Sequence, residues 1–160
     1  HGGHAAAAGL TVEENQVDAF RSAFCEYIQE SVTEEDRLVE VVIDAEVPLS
    51  QLTTQTIVHI QQLAPFGAAN QAPILCASNV DIVKGSAKRM GGGERHLSVK
   101  VAQHGKTLRA VAFGQGDWAE ELDQVEGQID VVFKPVINEF RGQRNVELHL
   151  EDWRQITQPA

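Results

Sequence analysis

The chain has 160 residues, is 42% hydrophobic and 22% charged, and carries 13 basic against 23 acidic side chains for a net charge of −10. That length holds one domain or two small ones, and the composition is that of a folded globular chain rather than a low-complexity or disordered one. No apolar run approaches the ~20 residues of a membrane-spanning helix, and none reads as a signal peptide.

The acidity is uneven. Residues 1–71 balance at −9 and residues 72–160 at −1, which predicts two units with different jobs. The chain opens without Met on His1-Gly2-Gly3-His4, a glycine turn with no element before it. The expectation is a fragment whose upstream part has been removed, with His1 the last residue of an appended tag. Gly2-Gly3 reads as a loop opening a short alanine helix over residues 4–8, with Gly9 ending it. Residues 10–12 read as a short strand. Over residues 13–32 the period becomes helical, with Val17, Phe20, Phe24, Tyr27 and Ile28 forming one stripe. A polar break at 33–36 precedes a β-rich run over 38–47, closed by Pro48. Ser50 or Thr53 caps the next helix, which stops near Leu63-Ala64 because a residue before proline disfavours the α region. Residues 65–73, bracketed by Pro65 and Pro73, form a stiff connector and the expected domain boundary.

Beyond Pro73 the pattern is mostly strand. Residues 74–84 make a first, bent strand, and 85–93 a glycine-rich loop. In Leu97-Ser98-Val99-Lys100-Val101 the apolar residues fall on alternate positions, the period of a half-buried strand. A turn at 103–106 and a second β-rich run at 107–113 complete a hairpin, with Leu97, Val99 and Val101 inward and His96, Ser98 and Lys100 outward. Residues 115–125 read as a loop with a short helix. Alternation resumes at 128–134 and 145–150 around a turn at 138–144. Five strands with a helical insert between the third and fourth predict an OB-type β-barrel.

The hairpin region departs from the rest in charge. Residues 84–114 carry seven basic residues against the single acid Glu94, a local balance of +6. A basic ribbon on an acidic protein is the footprint of a polyanion site, although charge alone equally suits a solvated hairpin. The segment Asn138-Glu139-Phe140-Arg141-Gly142-Gln143-Arg144 joins an aromatic to two arginines, a combination able to hold a phosphate and stack a base, or simply an exposed tip. Gly2-Gly3-His4 offers backbone N–H groups and an imidazole to an anion, and is also a common turn sequence. The pattern holds no nucleophile elbow, P-loop, CxxC pair or metal-spaced Asp/His cluster. Asp44 and Glu46 read as surface acids, and His59, His104 and His149 as ordinary surface or helix residues. Cys25 and Cys76 lie far apart in apolar contexts and are expected to be buried reduced thiols, favouring the cytoplasm.

The order of several segments resembles a known family. Residues 2–11, Gly2-Gly3-His4-Ala5 onward, are similar to the GGH motif closing the DHHA1 region of DHH-family phosphoesterases. Residues 65–73 resemble the PFG-x-x-N-x-x-P segment of RecJ-type single-strand-specific exonucleases, as do Glu94-Arg95-His96-Leu97 and the run from Ile137 to Gly142. One departure is Ala5, where many members carry proline. The resemblance implies an α+β chain: the end of a DHHA1 domain over 1–36, a connecting strand, helix and linker over 37–73, and the barrel over 74–157. It implies the single-stranded-DNA-binding part of a 5′→3′ exonuclease of repair and recombination. The parent would use Mn²⁺ or Mg²⁺ held by an upstream DHH domain, with no cofactor and no catalytic residue in this fragment, which would be inactive alone. Gly2, Gly3 and His4 would meet substrate phosphate. Arg95, Lys100, Arg109, Arg141 and Arg144 would hold the strand's phosphates, with Phe140 and Phe113 for stacking, although Phe113 equally suits the core. Single-stranded DNA, the DHH domain, and single-strand-binding or other repair proteins are the implied partners, with no membrane. Two other readings stay open: a protein-docking module of a repair nuclease, and part of a phosphoesterase acting on short oligonucleotides.

Overall fold

The computed structural model describes residues 2–4, 7–33 and 40–156, and for residues 2–4 the backbone alone. Two compact units emerge, His1–Val41 and Val42–Ala160. The expected break at 65–73 therefore falls inside the second unit, and the connecting segment joins that unit from Val42 onward.

In the first unit, β1 (Gly2–His4) pairs antiparallel with β2 (Ala7–Gly9), Gly2 opposite Gly9 and His4 opposite Ala7. The described residues of the predicted alanine helix, 4, 7 and 8, are thus paired strand. A run that short cannot repay helix nucleation, and pairing satisfies its backbone instead. The helix-dipole part of the anion argument for Gly2-Gly3-His4 falls with it. Residues 10–12, expected as a strand, carry no regular structure. Helix α1 (Val17–Ser31) follows a 3₁₀ turn, Glu14–Gln16. Its stripe of Val17, Phe20, Phe24, Tyr27 and Ile28 is exposed, and Phe20 stacks on Phe24 with centroids 5.7 Å apart. Cys25 lies exposed on this helix while Cys76 is buried, which corrects the expectation of two buried thiols. The start of the β-rich run expected at 38–47 lies outside the described residues. Residues 40–47 of it are described, and among them only the two-residue β3 (Ala45–Glu46) is strand.

The second unit forms because alternating strands bury one face. Its elements are α2 (Thr54–Gln61), β4 (Leu75–Ile82), β5 (Lys88–Met90), β6 (His96–Gln103), β7 (Lys106–Ala112), α3 (Trp118–Asp123), β8 (Gln128–Phe140) and β9 (Gln143–Gln155). The sheet has seven strands in the order β3-β4-β8-β9-β7-β6-β5, where five were expected. The extra strands are β3, parallel to the start of β4, and β5, hidden in the predicted glycine loop and antiparallel to β6. A further antiparallel pairing, Asp81 to Ala102 and Ile82 to Val101, joins β4 to β6, so that β4, β8, β9, β7 and β6 form a closed ring of partners.

Leu97, Val99 and Val101 point into the core as predicted, beside Leu108, Ala110, Ile129, Val131, Phe133 and Leu148. Leu49, Leu52 and Ile57, from the segment between β3 and β4, close that core. Gln103 ties this segment in: its side-chain oxygen accepts from the Leu49 N–H at 2.8 Å and its amide donates to the Ser78 carbonyl at 2.7 Å. Thr53 caps α2 by accepting from the Thr56 N–H at 3.1 Å. Asn70 pins the proline-bracketed loop by donating to the Leu63 and Pro65 carbonyls, each at 2.9 Å. The bend foreseen in β4 is a bulge between Ala77 and Val80, where Asn79 takes a φ of 57° and its N–H reaches the buried Asp130 at 3.1 Å. Strands β8 and β9 run far longer than predicted. The turn expected over 138–144 is only Arg141-Gly142, both at positive φ, the requirement of the tight mirror-image turns that suit strand twist.

Candidate nucleic-acid interface

Outward side chains of β5 to β9 fall into register across the sheet. Lys100 lies opposite Arg109, and Arg109 opposite Glu147, which in turn faces Val136. In the neighbouring row Lys88 meets Ser98, Ser98 meets Val111, Val111 meets His149 and His149 meets Lys134. Alternation thus delivers cations to one face from strands whose other face is core.

This face opens into a groove of about 900 Å³. Four of the expected nucleic-acid residues line it: Lys100, Arg109, Phe140 and Arg144. Lys106, Asn138 and Asn145 add further polar groups, and Thr53 and Thr54 contribute the start of α2. Lys100 and Arg109 also border an adjoining hollow of about 380 Å³ that holds Lys84 and Lys88. Among the described residues none of Lys84, Lys88, Lys100 and Lys106 pairs with a carboxylate. Their charge is available to a ligand.

The arginines differ in their commitments. Arg109 is held on three sides, donating to Glu147, to Ser98 Oγ at 3.1 Å and to Met90 Sδ at 3.3 Å. Glu147 is buried and also accepts from Asn138 Nδ2 at 3.0 Å. A buried acid in the floor of a basic groove fixes Arg109 and subtracts from its charge. Arg144 pairs with Glu139 at 2.7 Å on the surface, a contact of small worth. Arg141 sits at the hairpin tip, its guanidinium 5.2 Å from the centroid of the Phe140 ring. Arg95 is not part of the groove lining: its Nε donates to the Gly92 carbonyl at 3.3 Å. Beside it the chain packs so closely that a Cβ on Gly116 would stand 2.2 Å from the Glu94 carbonyl oxygen. Gly2, Gly3 and His4 belong to the other unit.

Phe113 is exposed rather than core. It meets His96 and His149 edge to face, at centroid distances of 5.5 and 5.1 Å. His96 Nδ1 accepts from the Gly114 N–H at 2.9 Å. Sequence reasoning read His149 as an ordinary surface residue and missed both it and Glu147. The available signal was phase: Asn145, Glu147 and His149 alternate with the inward Val146, Leu148 and Leu150.

Arg89, counted in the basic ribbon, is spent elsewhere. It clasps α3 through Glu120 at 2.6 Å and Asp117 at 2.7 Å. Hydrogen bonding from Arg89 holds the Glu120 carboxyl below its usual range. Burial pushes the Cys76 thiol up, as expected of an inert core thiol. Among the described residues no three His, Cys, Asp or Glu side chains gather to hold a metal ion. They do not fit the Mn²⁺ or Mg²⁺ that the resemblance implies for a parent enzyme.

A basic, aromatic-bearing groove on a mostly antiparallel sheet, whose parallel pairs are β3 with β4 and β7 with β9, is the arrangement of an oligomer-binding β domain. Comparison with known proteins agrees in fold and is more specific in sequence. The RecJ OB domain family matches residues 43–152, and the chain belongs to that family. It is 28% identical over 152 residues to the single-stranded-DNA-specific exonuclease RecJ of Bacillus subtilis, covering 94% of this chain and 19% of that protein. It is 32% identical over 152 residues to the same exonuclease of Dickeya dadantii, covering 94% and 25%. The crystal structure of RecJ in complex with Mn²⁺ from Thermus thermophilus superposes with a TM-score of 0.58 at 22% identity, covering 91% of this chain and 20% of that one. The chain therefore spans about a fifth to a quarter of the length of these relatives.

Proposed function

We propose that this chain is the single-stranded-DNA-gripping part of a RecJ-like 5′→3′ exonuclease serving DNA repair and recombination in the cytoplasm. On this reading the closed ring of β4, β8, β9, β7 and β6 is the OB-type barrel, and residues 1–36 are the end of a DHHA1 domain. The parent's catalytic metals belong to a DHH domain, so this chain binds DNA and hydrolyses nothing alone. Gly2, Gly3 and His4 then meet a substrate phosphate toward that domain. Lys100, Arg109 and Arg144 follow the strand's phosphates, Arg141 and Arg95 lie further out, and Phe140 stacks a base.

One observation carries the reading: unpaired Lys100 and Lys106 share a groove with the exposed ring of Phe140. Phosphate-dominated binding to a single strand falls with salt at a slope of about −0.7 per neutralised phosphate. Fluorescence anisotropy with a labelled single-stranded oligonucleotide at several salt concentrations is expected to show weak, nearly sequence-blind binding that declines steeply with salt. No binding at any salt would remove the reading. Nuclease activity on adding Mn²⁺ to the chain alone would remove its second half. A second reading, protein docking, is favoured by the exposed stripe of Phe20, Phe24 and Tyr27 on α1, and predicts no shift with DNA at any salt.

A further inference from the structure

The exposed Phe113 ring lies outside the hydrophobic core. Phe113 is 59% exposed, yet it is positioned by two rings rather than left loose. His96 is itself fixed, by the Gly114 N–H on one atom and by close approach of the chain at Gly91, where a Cβ would stand 2.7 Å from His96 Cδ2. An aromatic ring held by two neighbouring rings and open to solvent over much of its surface is suited to stacking, which every nucleobase can supply.

Its place on the sheet adds a second argument. His149 lies in the same outward phase of β9 as Glu147, one step along from the Arg109 row. Lys88 and Lys134 stand in the His149 row. Phe140, on the same face, lies opposite Gln143, six positions before His149. At about 3.3 Å per residue that offset is roughly 20 Å of strand. The Lys100–Arg109 row lies between the two aromatic sites.

We propose that Phe113, flanked by His96 and His149, is a second base-stacking station for an unpaired nucleobase of the strand whose phosphates cross the Lys100–Arg109 row. The inference rests on the reading above. It adds to Phe140 a second contact that only a base can supply, on the other side of the charged row.

The test uses the whole 160-residue chain, a 12-nucleotide single-stranded oligonucleotide, and an abasic 12-mer of the same charge, with anisotropy as readout. Phe113→Ala is expected to lose about tenfold affinity for the base-bearing strand and nothing for the abasic one. In Phe113→Trp, which keeps a stacking surface, affinity is retained and the indole fluorescence is quenched by the base-bearing strand alone. Should the wild type bind the 12-mer while Phe113→Ala binds it equally well, the station is overturned and the DNA reading stands. Equal quenching of Phe113→Trp by the abasic strand also overturns it, and decides the matter if the alanine variant does not fold. If the wild type binds neither strand, the DNA reading fails and takes the station with it.

Discussion

The two faces of β6, β7 and β9 share one backbone and follow opposite rules. Inward, Leu97, Val99, Ala110 and Leu148 are almost wholly buried, and each apolar side chain withdrawn from water contributes on the order of 1.5–3 kcal/mol. Outward, Lys100 is exposed and Arg109 is half-exposed at 42%, and such charges add little to folding. The alternation of a strand thus lets stability and recognition be encoded in the same stretch, residue by residue, with little interference. Two exceptions face outward: the Arg109–Glu147 pair, which includes a buried acid, and Val111, which is 1% exposed.

Substitutions sort along that divide. Phe133→Ala, at a fully buried inward position, is expected to cost about 3–5 kcal/mol in urea unfolding, with the salt slope of DNA binding unchanged in the folded fraction. Arg109→Ala breaks the divide: it strands the Glu147 carboxylate and is expected to cost about 2–3 kcal/mol as well as affinity. Its counterpart, Glu147→Gln, removes an acid from the groove floor and should tighten oligonucleotide binding a few-fold, as anisotropy at low salt would show. Lys100→Glu combined with Arg144→Glu is expected to leave the unfolding free energy within about 0.5 kcal/mol of the wild type. It should weaken DNA binding and make the log–log salt slope shallower by about 1.4. A stability loss in that double variant, or unchanged affinity, would break the comparison.

The smallest effect belongs to the Arg89 clasp, which is neither core nor groove. Arg89 lowers the folded-state pKa of Glu120, so the clasp contributes above the ordinary glutamate range, near pH 4.3. That contribution is lost as pH falls through the lowered value. Melting curves of wild type and Glu120→Gln should therefore differ slightly at neutral pH and converge in acid.

Much of this was legible in the chain. Alternation gave the β6–β7 hairpin with its inward and outward sets, proline and threonine chemistry gave α2 and its cap, and Trp118 and Leu122 marked α3. Local pattern failed where distant partners decide. Lys88-Arg89-Met90 reads as loop and becomes a strand because β6 offers it an edge. Residues 138–140 look like a turn and extend β8 because β9 pairs with them to the tip. Of the site, Lys100, Arg109, Phe140 and Arg144 were anticipated and do converge, while Arg95 lies apart. Phe113 was named for stacking, but its cluster could not be seen because His96, Phe113 and His149 come from three separate stretches of chain. In the first unit, the strands β1 and β2 take residues that local pattern had given to a short helix.

The pairing of β4 with β6 spans only Asp81–Ala102 and Ile82–Val101, whereas β8 and β9 pair along nearly their full lengths. With the three-pair β7–β9 junction, this is one of two thin seams in the ring and the shorter, and local opening should begin there. Lys100 adjoins it, its carbonyl accepting from the Val83 N–H at 2.9 Å. A strand of DNA anchored on Lys100 at one end and on the β8–β9 arm at the other would span the ring from its weakest stave to its strongest. Cargo would then act as a hoop, slowing amide exchange at residues 81–83 far from any base.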